Sequence, residues 1–164
     1  MAKEAVWSMA FILCIAMAAR SEKEINMVFY MHDVVAGSNR TAAQVGAGSS
    51  IKPGFGAMVV IDDALTRTPS PDSTLVGRAQ GMYLSDSLAI LTSPDSLLAF
   101  TAILEWPGEY SGSTLSIQGG NRMFMDQREV SVVGGTGKFR FALGYATVHN
   151  VSTALQFNVT VRVP

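Results

Sequence analysis

What most restricts the fold of this chain is an apolar/polar alternation of period two that returns along its length, while no window after residue 19 holds an apolar period of 3.6. Successive strand side chains point to opposite faces, so this alternation marks half-buried strands. The C-terminal segment shows it best, with Leu155, Phe157, Val159, Val161 and Val163 on one face and Gln156, Asn158, Thr160 and Arg162 on the other. MVFYMHDVV, GAMVVIDDAL, GRAQGMYLS, LLAFTAILEW, STLSIQG, REVSVVGG and KFRFALGYATV read as further strands, separated by turn-forming stretches such as TRTPSPDS, TSPDS and WPGEYSG. About eight strands without a helical crossover predict an all-β, antiparallel barrel or sandwich; an eight-stranded antiparallel β-barrel removes exposed edges and leaves a central cavity able to hold one small ligand. The longest stretch without pattern, AGSNRTAAQVGAGSSIKPG, reads equally as a mobile loop at a barrel mouth or a plain connection.

The first 19 residues have a different character. A lysine in MAKEAVW precedes the apolar run SMAFILCIAMAA, and Ala16-Met17-Ala18 supplies the small-residue site of a secretory leader. Residues 1–19 are therefore expected to be a signal peptide and 20–164 a single barrel domain, secreted to the extracellular space. The run is too short to span a bilayer and is followed by the polar RSEKE, so no membrane anchor is expected. Cleavage would also remove Cys14, the one cysteine, leaving no disulfide and no thiol ligand. Three sequons fit secretion, at Asn39, Asn150 and Asn158; Asn39 is the best glycan acceptor because its surroundings have loop composition. Charged residues make up 15% of the chain against a usual value of about 25%, and the net charge is −1, which argues against a nucleic-acid surface. With 48% hydrophobic residues, apolar surface is expected to line a cavity or be covered in a homo-oligomer.

Motifs narrow the chemistry further. In VSVVGGTGKFRFALGYA the glycines Gly135 and Gly137 are followed by Arg140 where a dinucleotide fingerprint needs a third glycine. A P-loop would need glycine at Val132 and Ser or Thr at Phe139, so the stretch reads as a glycine turn joining two strands. His32 and His149 lack metal-ligand spacing, and no G-x-S-x-G elbow occurs; no metal or other cofactor is expected. Asp33 ends the alternating set Phe29, Met31, Asp33, and a carboxylate on an apolar face is costly unless paired or used. It is either a site residue or a strand-end group in water or tied to Arg78 or Arg140. Tyr83 offers a phenolic hydroxyl to a cavity or to a neighbour. Asp62 and Asp63 alternate faces and so form no carboxylate dyad with each other; they read as a strand end plus turn.

Taken in order, FYMHD, FGAMVVIDDALT, VGRAQGMY, GEYSGSTLSIQGGN and REVSVVGGTGKFRFALGYA closely resemble the plant dirigent proteins, from about Met27 to the C-terminus. The resemblance implies an eight-stranded barrel with a central cavity, glycosylation, export to the apoplast, and homo-oligomers, usually trimers. It implies a non-oxidative auxiliary that makes phenoxy radical coupling of monolignols such as coniferyl alcohol stereoselective, in lignan and phenylpropanoid biosynthesis and plant defence. The phenolic radicals would come from a separate laccase or peroxidase, with no oxidising centre in the chain. Asp33 and Tyr83 match the residues held to bind substrate or assist proton transfer at a quinone methide, and Arg128, Glu129 and Arg140 occupy polar positions of the last motif. The other activity implied is that of a dehydratase closing a ring through a quinone methide, of the pterocarpan-synthase type. A third reading, carbohydrate binding at the cell wall, rests on lectin fusions among relatives. The chain departs from the family's usual pattern at Leu143, where arginine is common, at Ser85, where a second aromatic often follows Tyr83, and in lacking paired cysteines.

Overall fold

The computed structural model describes residues 22–89, 92, 94–105 and 108–164. The expected leader, residues 1–19, lies outside them. Nine strands run in order: β1 Lys23–His32, β2 Ala42–Ala47, β3 Ala57–Thr66, β4 Leu75–Ser85, β5 Asp95–Leu104, β6 Thr114–Arg122, β7 Gln127–Thr136, β8 Leu143–Val151 and β9 Ala154–Val163. Eight of them form one antiparallel sheet, ordered β1-β9-β8-β7-β6-β5-β4-β3, that closes on itself where β1 meets β3. This is the expected eight-stranded barrel with one extra strand, β2, paired along the upper half of β3. The closing contact is short, with Tyr30, Met31 and His32 opposite Thr66, Leu65 and Ala64. His32 Nε2 lies 2.7 Å from the Thr66 hydroxyl. Because that hydroxyl donates its proton to the Thr68 carbonyl, the imidazole is the donor.

Below the middle of the barrel the inner side chains fill the space. Phe29 stacks on Phe157 with ring centroids 5.4 Å apart, and Phe100 meets Phe157 edge-on at the same separation. Leu104, Leu115, Ile117, Val130, Val132 and Val148 complete the packing around them. The bulk is accommodated because β4 turns small residues inward: at Gly81 an added Cβ would come within 2.6 Å of the Phe100 Cβ. The lower end is stoppered by Phe139, fully buried with its ring 5.2 Å from that of Tyr110.

Three local readings change. KFRFALGYATV is not one strand: Gly137–Phe139 form a 3-10 turn, and β8 begins only at Leu143. The glycine turn joining two strands stands, but its exit is spent inserting Phe139 into the barrel. Gly137 is at φ +61°, where an added Cβ would lie 2.6 Å from Ser113 Oγ, the atom that accepts the Lys138 amide. The unpatterned stretch holds strand β2, whose exposed residues lack alternation because only β3 pairs with it. Asp62 and Asp63 lie inside β3 rather than at a strand end, and Asp62 is held on the outer face by the Arg78 guanidinium at 2.7 Å. Phe157→Ala should destabilise the barrel by about 3–5 kcal/mol, measured by chemical denaturation, whereas Phe141→Ala, at a side chain 73% exposed, should leave the midpoint nearly unchanged.

Candidate functional site

The barrel's upper end, where β1 finishes and β9 starts, is open. A cavity of about 370 Å³ lies there, its wall including Met31, Asp33, Tyr83, Ser96, Leu98, Asn121, Arg128, Asn150 and Leu155. Each polar group is delivered by strand parity. Tyr83 sits opposite Val59 and Leu98, on the inner face of β4. Arg128 follows the parity of Val130 and Val132, whose side chains are buried in the core. Asp33 follows Phe29 and Met31 one step beyond the end of β1.

The electrostatics of the site divide it into two ends. Arg128 is 5% exposed and finds only neutral acceptors: its Nε donates to Asn121 Oδ1, Nη2 to Asn150 Oδ1 at 3.0 Å, and Nη1 to the Met125 carbonyl at 3.5 Å. Burial alone pulls its pKa down, and burial alone pushes Asp33 up. The two charges thus do not neutralise each other. At the acidic end, Tyr83 is pushed up first by burial and then by the charges of Asp33 and Asp63, so its hydroxyl remains a donor.

Asp63 belongs to this end although the sequence reading gave it no role. It is fully buried, and neither carboxylate oxygen has a hydrogen-bond partner. The nearby Thr41 hydroxyl lowers its pKa somewhat but is directed to the His32 carbonyl. Burial, with Asp33 and Asp62 adding repulsion, carries Asp63 up to about 7. Its signal in the sequence was the parity of Ile61, Asp63 and Leu65, which sets it inward on an apolar face. Ser96, also absent from the sequence reading, lines the cavity with a buried hydroxyl that lacks a partner. Among the described residues, the buried side-chain nitrogen and oxygen atoms without a partner are Asp33 Oδ1, both oxygens of Asp63, and Ser96 Oγ. Hollows elsewhere, such as that beside Leu104 and Tyr110, contain none of them.

The structure brings Asp33, Tyr83 and Arg128 together and places the other candidates elsewhere. Glu129 has the opposite parity to Arg128 and is exposed on the outer surface, while Arg140 is exposed beyond the 3-10 turn at the lower end. Leu143, where the family often has arginine, is 65% exposed on the outer face at that same end, so its substitution leaves the cavity's polar groups untouched. Of the sequon asparagines, Asn39 is exposed in the turn after β1, Asn150 lines the cavity, and Asn158 is half-buried in the middle of β9.

The architecture is a closed antiparallel barrel stoppered at one end, with a polar pocket of small-molecule size at the other. The family model described as Dirigent-like protein matches residues 24–163, and the chain belongs to the dirigent family. It is 35% identical over 153 residues to Dirigent protein 1 of Arabidopsis thaliana, covering 87% of this chain and 80% of that one. It is 42% identical over 132 residues to Pterocarpan synthase 1 of Glycyrrhiza echinata, covering 77% and 68% respectively. The solved structure of a pterocarpan synthase dirigent protein superposes with a TM-score of 0.77 at 36% identity, covering 89% of this chain and 88% of the other.

A carboxyl group held above its unfolded pKa binds its proton more tightly in the folded protein, so its folded-state contribution declines as pH rises from 3.8 toward about 7. Asp63→Asn should therefore be more stable relative to the native protein at high pH than at pH 4, the difference growing by roughly 2–4 kcal/mol, read from denaturation midpoints across that window.

Proposed function

We propose that the cavity binds a phenol carrying a benzylic hydroxyl and promotes loss of water through a quinone methide, as a dehydratase that then closes a ring. The observation that carries this reading is the gathering of unpartnered acidic oxygens at one end of a pocket whose other end is an uncompensated guanidinium. The protonated carboxyl of Asp33 gives its proton to the benzylic oxygen, the C–O bond breaks, and water leaves. The phenolic proton returns to the carboxylate, so the group is restored when the quinone methide has formed. Tyr83 donates a hydrogen bond beside it, and Arg128 stabilises negative charge on an oxygen of the ligand at the far end. A second phenolic oxygen then adds to the quinone methide. The names of two relatives, the pterocarpan synthases of Glycyrrhiza echinata and Glycine max, support the same class of chemistry.

Radical coupling is the second reading, favoured by the separation of the acidic and basic ends, which would orient a ligand by both of its polar termini. In that case the protein is a stereochemical guide for monolignol radicals made by an external laccase or peroxidase, and discrimination of about 2 kcal/mol between faces gives a product ratio near thirty to one. Export to the apoplast and glycosylation at Asn39 accompany either reading as proposals. A homotrimer is proposed as well: Val60, Met82 and Val133 are exposed around one hollow of the outer wall, apolar surface that self-association would cover. Light scattering at micromolar concentration should return the trimer mass, and a monomer would refute it.

The deciding assay offers the mature protein such a phenol with no oxidant present. Cyclised product should form, and Asp33→Asn should lower turnover about 10²–10⁴-fold while the melting temperature moves by only a few degrees. Enantiomerically enriched dimers appearing only when an oxidant and a monolignol are supplied would replace the first reading with the second.

A further inference from the structure

We infer that Asp33 and Asp63 form a carboxyl pair that shares one proton, with Asp63 a positioning residue buried behind the Asp33 carboxyl at the cavity wall. The inference rests on the site described above but not on the identity of its substrate. Its basis is register. β1 and β3 pair through Met31 opposite Leu65 and His32 opposite Ala64; Asp33 is the residue that follows the last of these pairs and Asp63 the one that faces it across the break, close enough for the Asp33 charge to act on it. Residues directly opposite in an antiparallel pair point to the same face, and Met31 with Leu65, one inward row below, are both buried in the core. The two carboxyl groups therefore face inward side by side.

Neither carboxyl forms an ion pair among the described residues, and the charge of Arg78 is the smallest of the influences on Asp63. Arg78, on the neighbouring β4, spends its Nε on Asp62 Oδ1 and an Nη on the Asp62 carbonyl, both at 2.7 Å and both on the outer face. His32 is committed to Thr66 and is kept neutral by burial. From β4 the facing titratable group is Tyr83, a neutral donor; from the connection into β2 it is the hydroxyl of Thr41; and Arg128, across the cavity on β7, is bound to Asn121 and Asn150. Two carboxylates in such a place do not both ionise, because each charge raises the proton affinity of the other. Asp63 is wholly buried and does not line the cavity, whereas Asp33 does, so the shared proton reaches a ligand through Asp33. Asp62, next in sequence, is excluded from the pair by parity and by its own ion pair.

The test uses the ligand-free protein labelled with carbon-13 in the aspartate carboxyl groups and follows the infrared carbonyl stretch of neutral carboxylic acid against pH. In the native protein one such carboxyl should persist to near-neutral pH and be lost as a single proton. In Asp63→Asn, the proton affinity of Asp33 should fall about tenfold or more. Asp33→Asn, at a cavity-wall position outside the packed core, supplies the reciprocal measurement on Asp63 should the first variant not fold. Two independent neutral carboxyls, no neutral carboxyl near neutrality, or an unchanged midpoint for the remaining group in both variants would overturn the pair. No substrate enters the measurement, so the proposed dehydration could fail while the pair stands, or the reverse.

Discussion

Everything at the site depends on three residue pairs. The barrel closes only where Tyr30, Met31 and His32 meet Thr66, Leu65 and Ala64, a short seam compared with the nine pairs that join β1 to β9. The seam is pinned by the His32–Thr66 hydrogen bond, in a buried place where losing one partner would strand the other. Immediately above it β1 leaves the wall, the chain loops outward, and β2 takes over the pairing with β3 from Ala42 onward. The break leaves Asp33 at the end of one segment and Asp63 on the uninterrupted strand beside it. A continuous first strand would have no such break, and the cavity wall would lose the point at which a carboxyl group projects from a strand end.

The same parity that built the core also built the site. On β4 small residues face inward below and Tyr83 above; on β7 valines face inward below and Arg128 above. Polar residues placed inward near the strand ends therefore share one chamber without any motif in the chain linking them. Their costs are of different kinds. Arg128 is satisfied by amide oxygens from β6 and β8, while the Asp63 oxygens have no hydrogen-bond donor and burial raises the proton affinity of the group.

Much of this was legible beforehand. Alternation marked eight of the nine strands, and Asp33 stood out because it continued an apolar face. Arg128 and Glu129 could not be separated by composition; strand parity separates them, and it follows from Val130 and Val132. Asp63 was hidden because an adjacent pair of aspartates in IDDAL looks like a turn, and only the length of β3 shows that one partner is outside and the other inside. The course of residues 138–142 was also hidden. KFRFA alternates like a strand, but the Tyr110 ring and Ser113 hydroxyl, contributed from the β5–β6 connection, draw Phe139 inward and turn the segment into a plug. Such contacts are remote in sequence and leave no local pattern.

The plug at the bottom of the barrel has a consequence for traffic. With the lower half filled by the Phe29–Phe157–Phe100 cluster and stoppered by Phe139, the chamber is a cul-de-sac whose door is its upper mouth. An occupant must back out by the way it came, and no newcomer can push it through from behind. Entry and exit then share one opening, and the groups that line it are the first and the last that any occupant passes.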